Sequence, residues 1–596
     1  MSSKILRQVT EALGGSPMPR QDIAILAVQL LVWARIGKKE WVTNTVPSLS
    51  EAADSRLRLL DAGVAALKRA NGTLGEAFAG IQRRAELAGP SLLVAANICI
   101  RLERDGLLEG LDLHELIASL GAEVGAEWAL YHSSLVDLMV RLVGVTAGTT
   151  TYCPWDQIAQ ASSSVLRAGG GAAVENPLIT PFPALAAIFS GKESRTAYSD
   201  PIGSPSFIES GKLERFDQSV ALPPLGVKVR GDVVDRDLFG RFDNPKATWT
   251  VLCIQHLMAH SRRRVVVAVP YSLLVGVGAD KKLREQLVRA GQVRTVISLF
   301  PGLASGTAIQ LAILVLDPRG GTKQVRFVNA SGECFKIQQG RSRVAVGNLE
   351  KLLEAVQSRS ESNLARSVEI GEIEANDFSL QVERYVLDEG RMELQRRLAH
   401  LETVALGDLV STVRTPPASK ADSDGVPVLE VGASDIARTG YTRPGREGTV
   451  RDVDSQEPDH FLREGDIVLT IRGNVGRVGI IPADVARPGR GGWTAGSSLT
   501  VLRARPENRV DPAVLALLLR SPLGQELLSG ISSGVTIPMI TLRDLLRLEL
   551  PAPGTNASHT ARAILDQEET LGRQIAEMVK KQQNVAGPDS AYGLLD

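Results

Sequence analysis

The sequence is poor in cysteine and has no closely spaced pair of cysteines. Its four cysteines, Cys99, Cys153, Cys253 and Cys334, lie far apart, so the usual zinc-binding and dithiol redox motifs are absent. We therefore predict that these thiols are reduced and buried, as in cytosolic proteins.

Net charge and long apolar runs are also lacking. The formal net charge is +0, so any binding of nucleic acid must depend on a local patch and not on a global positive field. No stretch reaches the roughly 20 apolar residues of a membrane span, and residues 1–10 lack the apolar core of a secretory signal. We expect a soluble, cytoplasmic protein with no membrane association.

The sequence does contain enough apolar residues to form several hydrophobic cores. It has 596 residues, of which 44% are hydrophobic and 22% charged, which is typical of soluble proteins with three or four domains. The first part is predicted to be helical, because apolar residues recur at three-to-four spacing from Ile23 to Trp33 and from Leu57 to Leu67. We assign residues 1–125 to an all-helical N-terminal domain.

From about residue 131 to residue 328, short β-branched runs alternate with helical segments. This pattern predicts an α/β domain with a mostly parallel, doubly wound sheet and helices on both faces. Ligands of such sheets bind at the carboxyl ends of the strands. The turns after Thr151 and Val174 and the turn at Pro223-Pro224 are therefore expected to lie together. Residues 344–397 are predicted to be helical and charged.

The composition changes again after residue 400. Residues 401–550 are predicted to form short strands with many turns, including Pro416-Pro417 and Asp424-Gly425, interrupted by a helical pair from Pro512 to Leu528. The last helix, 557–583, places apolar residues at nearly heptad spacing, which favours pairing with another helix. Packing on its own domain is the equally weighted alternative.

These segments, in this order, resemble the methylation subunit of Type I restriction-modification systems fused to half of a specificity subunit. In the methylase part the resemblance rests on four segments: Tyr131-His132-Ser133-Ser134, Glu175-Asn176-Pro177, Pro301-Gly302-Leu303 with Gly306-Thr307-Ala308, and Asn376-Asp377-Phe378 through Arg384-Tyr385-Val386. It implies a methyltransferase-like (Rossmann-like) N6-adenine DNA methyltransferase domain at 126–398, an α+β target-recognition domain at 399–555 and a spacer helix with a tail at 556–596.

The resemblance implies S-adenosylmethionine as cofactor, with Glu175 on its ribose hydroxyls and Asp200 on its adenine. A solvated helix cap and a simple turn residue are the respective alternatives. The family's first cofactor loop is rich in glycine, whereas residues 153–160 contain none. Pro154, Trp155 and Asp156 stand in that loop, and side chains occupy positions where backbone without Cβ was needed. We expect the cofactor pocket to be narrowed or filled.

The catalytic motif of the family is Asn or Asp, Pro, Pro and an aromatic residue. The side-chain oxygen and a proline carbonyl accept hydrogen bonds from the target amino group, and the ring stacks on the flipped-out adenine. The corresponding residues are Leu222, Pro223, Pro224 and Leu225, so one acceptor and the π face are missing. By analogy, losing one such hydrogen bond costs about 2.7–4 kcal/mol of barrier. A strand end followed by a plain turn is the alternative interpretation.

In the C-terminal part, the target-recognition resemblance rests on 462–470 with 472–477, and on the later segments Gly534-Val535-Thr536-Ile537-Pro538 and Leu550-Pro551-Ala552-Pro553. It implies major-groove contact with double-stranded DNA. Residues 401–550 hold 17 Lys and Arg against 19 Asp and Glu, so contact requires a cluster on one face. A solvated surface is the alternative. The candidate DNA-binding residues are Arg472, Asn474, Arg477, Arg487 and Arg490.

Two functions follow from these residues. The leading hypothesis is a sequence-specific DNA-binding protein of a restriction-modification or phage-defence system, with methylation impaired or lost, acting as a homodimer through the C-terminal helix and with a nuclease or translocase subunit. The alternative is an active adenine-N6 methyltransferase that needs a partner subunit. An adaptor that no longer binds DNA is a third class. His256 and His260, one helical turn apart without a third ligand, are predicted to be a surface pair and not a metal site.

Overall fold

The computed structural model describes residues 2–37, 46–53, 57–124, 130–229, 232–339, 344–386, 393, 396, 398, 400–416, 418, 426–450, 458–508, 510–532, 538–552 and 557–585. The chain divides into two compact units, Met1–Val386 and Leu387–Asp596. The predicted turns at Pro417 and Asp424-Gly425, the segment 534–537 and Pro553 lie outside the described residues. The division into four domains stays a prediction.

The first unit begins with helices, as predicted. Their apolar faces and one face of the following sheet form a single core, in which Leu31, Leu185 and Val328 are all fully buried. The Arg35 guanidinium also lies 3.7 Å from the ring centre of Phe189. The helical part is therefore continuous with the sheet. The helices are α1 Ser2–Leu13, α2 Arg20–Ile36, α3 Leu49–Ala53, α4 Leu57–Arg69, α5 Gly72–Ala77, α6 Ile81–Ala88, α7 Pro90–Arg104, α8 Leu113–Val124 and α9 Ser133–Val143.

A nine-stranded mixed sheet follows, in the order β13-β10-β8-β9-β7-β6-β1-β2-β3. Strands β9 and β13 are antiparallel to their neighbours, and the other seven strands share one direction. The prediction of a mostly parallel sheet is confirmed. Its strands are β1 Thr150–Pro154, β2 Gly171–Asn176, β3 Ser194–Tyr198, β6 Phe216–Ala221, β7 Ser261–Pro270, β8 Val293–Leu299, β9 Leu311–Leu316, β10 Gln324–Ala330 and β13 Ala365–Glu369.

Helices cover both faces of this sheet because its central strands are apolar on both sides; every residue of β9 is buried. Two short hairpins, β4 Ile208–Glu209 with β5 Lys212–Leu213 and β11 Lys336–Gln338 with β12 Val344–Val346, project from its connections. The segment predicted to be helical after residue 344 contains strands β12 and β13 as well. The helices are α10 Gln160–Arg167, α11 Phe182–Ser190, α12 Trp249–His260, α13 Ala279–Arg289, α14 Leu349–Gln357, α15 Ile370–Ala375 and α16 Val382–Tyr385.

The second unit is built from small sheets, helices and one long terminal helix. Strands β15, β21, β18 and β19 form its largest sheet, β17-β16-β20 a second, and β14-β22 a two-stranded third. The strands are β14 Thr403–Ala405, β15 Val410–Val413, β16 Val426–Val431, β17 Arg446–Val450, β18 Ile467–Thr470, β19 Val478–Ile480, β20 Trp493–Ala495, β21 Leu499–Ala504 and β22 Glu549–Pro551.

The helices of the second unit include the predicted pair and the predicted terminal helix, both of which are confirmed. They are α17 Leu406–Leu409, α18 Pro512–Arg520, α19 Pro522–Ile531, α20 Leu542–Leu546 and α21 Ala557–Val585. Within the described ranges no single helix has the length and apolar character to cross a membrane. The pair α18 and α19, bent by 75°, meets that test jointly by length and composition alone.

Candidate functional site

The candidate site lies where the strand order of the sheet reverses. From β1 the chain continues to β2 and β3 on one side, whereas β6 pairs with β1 on the other. A crevice forms at such a switch point beyond the carboxyl ends of the strands. Here it holds a cavity of about 210 Å³, whose lining residues are Tyr131, Pro154, Trp155, Asp156, Gln157, Ile158, Gln160, Ala161, Leu178, Leu222 and Pro224. The structure therefore brings the two sequence motifs together.

The Pro-Pro turn, residues 222–225, follows β6 directly. Leu222 is only 9% exposed and belongs to the apolar core. The hydroxyl of Tyr131 donates a 3.0 Å hydrogen bond to the carbonyl oxygen of Pro223. Burial raises the pKa of Tyr131, so its phenol stays protonated and remains a donor. Leu225 packs against the same core. The turn therefore has an apolar side chain at position 222, and the carbonyl oxygen of Pro223 already accepts one hydrogen bond.

Tyr131 is held at this position by its backbone. Its N–H donates to Gln160 Oε1 at 3.1 Å, and its carbonyl accepts from Gln160 Nε2 at 2.7 Å. On the other side, the N–H of Ser305 donates to the carbonyl of Leu130 at 2.7 Å, and the segment pairs with Ala304. Gln160, which stands in the loop expected to be rich in glycine, therefore fixes the tyrosine over the crevice.

Loop 153–160 adopts backbone conformations that side chains rarely take. Trp155 has φ of +61° and Ala159 has φ of +58°, in the left-handed region that favours glycine. The Trp155 N–H donates to the carbonyl of Glu175 at 2.8 Å, and its ring lies 6.2 Å from Trp249 and 5.8 Å from His256, centre to centre. Two positions of the loop thus hold side chains in backbone conformations that favour glycine.

Asp156, a residue of loop 153–160, caps the N-terminus of α10. Its two carboxylate oxygens accept the N–H groups of Ala161 at 3.1 Å and Ser162 at 2.7 Å. Burial raises the pKa of Asp156, although these hydrogen bonds favour its ionised form. Helix N-termini are common sites for anions. In this chain the carboxyl group of Asp156 occupies that position.

Glu175 is completely buried at the end of β2 and does not line the cavity. Its carboxylate accepts hydrogen bonds from the hydroxyl of Tyr152, from Ser199 Oγ at 2.6 Å and from the Ser206 N–H at 2.5 Å. It is neither a solvated cap nor exposed to the crevice. Its predicted role in holding a cofactor stays a prediction, since three donors of the chain already occupy it.

The Glu175 contacts extend into a buried polar network that the sequence analysis missed. His256 Nε2 lies 2.8 Å from the Tyr152 hydroxyl, and Arg241 Nη1 lies 2.8 Å from His256 Nδ1. Since arginine can only donate, Nδ1 accepts and Nε2 carries the proton. Arg241 also pairs with Asp237 at 2.9 Å, with both side chains 1–2% exposed. Tyr152 and His256, which are in direct contact, lie 104 positions apart in sequence, so no local pattern reveals the network.

The two histidines correct one prediction. His256 and His260 were expected to form a surface pair, but both are fully buried. Burial lowers the pKa of His256 well below its usual value and lowers the pKa of His260 to about 4, so both rings are neutral at pH 7. Within the described part of the chain there is no group of three His, Cys, Asp or Glu able to hold a metal ion.

Asp200 lies in the turn that follows β3. Its side chain is exposed, its Oδ1 accepts the Ile202 N–H at 3.1 Å, and its carbonyl accepts the Ser204 N–H at 2.9 Å. These are the contacts of a turn residue, and Asp200 does not line the cavity. Contact with a cofactor adenine stays a prediction.

The candidate DNA-binding residues lie on two loops at opposite ends of the β18–β19 hairpin. The loop 471–477 closes the hairpin and exposes Arg472 and Asn474, whereas Arg487 and Arg490 are exposed on the segment that leaves β19. Arg477 is half-buried, and its guanidinium donates to the carbonyls of Ala433 at 3.0 Å and Ile436. The structure therefore does not gather all five residues at one end, and their contact with DNA stays a prediction.

Comparison with known proteins agrees with this geometry. The fold is that of a methyltransferase: the chain superposes on the type I restriction-modification methyltransferase subunit from Streptococcus thermophilus with a TM-score of 0.53 and 16% identity, covering 65% of this chain and 99% of that one. Residues 189–393 match the N-6 DNA Methylase family, and residues 400–582 match the Type I restriction modification DNA specificity domain.

Two curated relatives are methylase subunits. The chain is 29% identical over 198 residues to that of the type I restriction enzyme MpnII from Mycoplasma pneumoniae, and 24% identical over 148 residues to that of MjaVII from Methanocaldococcus jannaschii. The matches cover 31% and 24% of this chain but only 36% and 26% of the relatives. The chain therefore joins an N-6 DNA methylase domain to a Type I restriction-modification specificity domain.

Proposed function

We propose that this protein is a sequence-specific DNA-binding protein of a restriction-modification or phage-defence system, in which a methyltransferase scaffold no longer transfers methyl groups. The proposal rests on the two hydrogen-bond acceptors that a target amino group is expected to meet at the Pro-Pro turn. Leu222 offers no acceptor, and the carbonyl of Pro223 already accepts the hydrogen bond of Tyr131.

The expected effect on chemistry is large. The carbonyl oxygen of Pro223 has a second lone pair and can accept another hydrogen bond, but a target amino group held by this acceptor alone lacks the side-chain acceptor at position 222 that would orient it for attack. Removing one positioning hydrogen bond typically lowers kcat by about 10²–10³, and Leu225 also lacks the ring on which an adenine would stack. We therefore assign the turn a positioning or purely structural role.

The crevice also does not fit S-adenosylmethionine as it stands. Its volume of about 210 Å³ is below the roughly 300–1,000 Å³ of typical small-molecule sites. Asp156 occupies the amides of α10, and the Glu175 carboxylate has three donors from the chain itself. We infer that the cofactor of the family is excluded or held weakly.

DNA reading is assigned to the second unit, which matches the specificity domain. The loop 471–477 supplies the free Arg472 and Asn474 for contacts to bases or phosphates. We propose that Arg487 and Arg490, which are exposed on the segment that leaves β19, contact the DNA backbone. The chain has no net positive charge, so we expect the affinity for DNA to depend on these few side-chain contacts and on the sequence-dependent shape of the DNA.

A homodimer through α21 is part of this proposal. The beginning of the helix is anchored in its own unit, since Ala561 and Leu565 are buried and Glu568 accepts the Gly440 N–H at 2.7 Å. Beyond these residues the apolar side chains are exposed, with Leu571 at 49% and Ile575 at 59%. Pairing of two such stripes buries them and aligns two recognition domains on a two-part DNA site.

The names of the relatives, subunits of restriction enzymes, support assembly with a further subunit. A nuclease or translocase is the partner class we propose. Recognition without methylation would then position that effector on the DNA.

The test combines two measurements on the full chain. Random duplexes retained by the protein are sequenced to find the bound site, and methyl incorporation from labelled S-adenosylmethionine is measured on that site. We expect specific binding without incorporation. Stoichiometric incorporation into adenine would overturn the proposal.

The alternative, an active adenine-N6 methyltransferase that needs a partner, is favoured by two features: the Pro223–Pro224 turn is retained, and a cavity persists at the switch point. Calorimetry separates the two functions. Micromolar affinity for S-adenosylmethionine, in the absence or presence of a co-purified subunit, would support the alternative.

A further inference from the structure

In the second unit, the loop 471–477 pairs with the segment 538–540. Arg472 and Met539 form an antiparallel bridge at this place. Two backbone hydrogen bonds, each of 2.9 Å, flank the bridge: the N–H of Gly473 donates to the carbonyl of Pro538, and the N–H of Ile540 donates to the carbonyl of Ile471. Arg472 and Met539 are therefore directly opposite each other, in a pair that has no hydrogen bond of its own.

This pairing brings the side chains of Arg472 and Met539 together on the outer face. Opposite residues of an antiparallel pair project to the same side, and in a pair without hydrogen bonds their Cβ atoms are about 4.5–5.5 Å apart. The next residues along the two segments project to the other side: Ile540 is buried in the core, and Ile471 packs against it. Arg472 is exposed and Met539 is 39% exposed.

The loop that carries Arg472 is held in place by hydrogen bonds. Inside the loop, Thr470 Oγ1 donates to the carbonyl of Asn474 at 2.6 Å and accepts the N–H of Arg477 at 2.9 Å. From α19, Gln525 Nε2 donates to the carbonyl of Gly476 at 2.9 Å. Side chains on a backbone that is fixed before binding lose little conformational entropy on association. The two opposite side chains are therefore suited to a specific contact.

The exposure of Met539 is unusual for this unit. Outside α21, the described residues of the second unit include three exposed large apolar side chains: Leu401, Met539 and Leu542. Two of the three lie within four positions of each other, on or next to the segment that pairs with loop 471–477. A single exposed apolar residue needs no explanation, but one that stands opposite an exposed arginine forms a mixed pair with a defined geometry.

The chemistry of this mixed pair matches the major groove of DNA. A guanidinium binds phosphate oxygens or the acceptors of guanine, and an apolar side chain contacts the methyl group that each thymine presents in that groove. An apolar protein surface would cover Met539 but would leave the guanidinium of Arg472 without a partner. A duplex offers contacts to both side chains.

We propose that Met539 is a specificity-determining residue, which contacts the methyl group of a thymine beside the position on the DNA that Arg472 contacts. The two Cβ atoms are about 4.5–5.5 Å apart, and base pairs follow one another at about 3.4 Å, so the thymine lies within about two base pairs of that position. This inference rests on the proposed function, since it requires sequence-specific DNA binding. It does not depend on the loss of methyl transfer or on the dimer.

The first step of the test changes only the DNA. Each thymine of the site that the full chain selects from random duplexes is replaced in turn by deoxyuridine, which lacks only the methyl group, and the Kd is measured by fluorescence anisotropy. We expect at least one replacement to weaken binding about fourfold, as for one methyl-sized group withdrawn from apolar contact. A selected site without thymine, or one in which no replacement weakens binding, would overturn the inference.

The second step assigns the sensitive thymine to Met539. Met539→Ser should bind the thymine site and its deoxyuridine form equally, whereas Met539→Leu should keep the fourfold difference. Leu401→Ser is the matched control, because Leu401 is 50% exposed ahead of β14, and it should also keep the difference. Thermal unfolding of each variant checks that the fold is unchanged.

The two steps together separate direct contact from DNA shape. Removal of a thymine methyl group also changes the deformability of the duplex, and such an effect would persist in Met539→Ser. A fourfold difference that persists in this variant would therefore overturn the inference. In that case the wild type still binds its site, so the proposed function stands. Absence of sequence-specific binding by the wild type would instead overturn the proposed function and this inference with it.

Discussion

The hydroxyl of Tyr131 and the carbonyl of Pro223 are joined by a 3.0 Å hydrogen bond, although 92 positions separate them in the sequence. The bond connects the segment before α9 with the turn after β6, across the mouth of the crevice. One of the two lone pairs of the Pro223 carbonyl oxygen thus already accepts a donor from the protein.

Tyr131→Phe should expose the importance of this bond. It removes the donor and leaves the carbonyl of Pro223 without its partner, which costs about 1–3 kcal/mol for a buried group. Urea unfolding followed by tryptophan fluorescence checks the loss in the first unit. Methyl transfer should stay absent, because Leu222 still lacks an acceptor. Appearance of activity in this single variant would show that Tyr131 alone blocks the site.

Two substitutions of Asp156 should distinguish the contribution of its helix-capping hydrogen bonds from that of its buried charge. Asp156→Ala removes the cap of α10 and should destabilise the first unit by about 0.5–2 kcal/mol. Burial raises the pKa of Asp156 in the folded state, so its contribution is most favourable at low pH and is lost as pH rises through that pKa. Asp156→Asn keeps an acceptor without the buried charge and should cost less than alanine at pH 7. An equal loss in both variants would contradict this account.

The buried histidines predict a loss of stability in acid. The folded-state pKa of His260 is lowered from 6.5 to about 4, so its contribution is complete above pH 6.5 and declines as pH falls towards 4. The shift corresponds to on the order of 3 kcal/mol. His260→Asn should flatten the profile between pH 6.5 and pH 4, measured by denaturant unfolding. A profile identical to that of the wild type would argue against the assignment.

Two arginines of the second unit should behave differently. Arg472→Ala should reduce DNA affinity and lower the salt dependence of binding by about one ion, with no change in unfolding. Arg477→Ala removes the hydrogen bonds to Ala433 and Ile436 and should destabilise the unit by about 1.5–3 kcal/mol. Filter binding across salt concentrations, together with thermal unfolding, checks both. If Arg472→Ala lost stability and Arg477→Ala lost only DNA affinity, the roles assigned to the two arginines would be reversed.

The terminal helix should control oligomeric state. Leu571→Asp with Ile575→Asp places charges in the exposed apolar stripe and should convert the dimer to a monomer in light scattering coupled to size exclusion. Lys580→Asp, which changes a charge outside the stripe, is the matched control. A wild-type monomer at micromolar concentration would reject the dimer.

The sequence by itself determined the order of the parts. Periodic apolar residues identified the N-terminal helices and α21, and β-branched runs identified most strands of the sheet, because both signals are local. Strand β3 escaped notice because its residues are half-exposed or exposed and include polar Ser194 and Arg195. Strand β13 lies in a charged segment and pairs with β10 at the edge of the sheet. Such edge strands depend on their neighbours more than on their own composition.

At the candidate site, the sequence alone shows that loop 153–160 contains no glycine and that a leucine stands on each side of Pro223-Pro224. Only the tertiary structure determined which side chains occupy the region around the crevice. Gln160 fixes Tyr131, Tyr131 donates to Pro223, and a buried chain of side chains surrounds Glu175. These contacts join residues far apart in the chain, and their geometry depends on how the whole sheet and its helices pack.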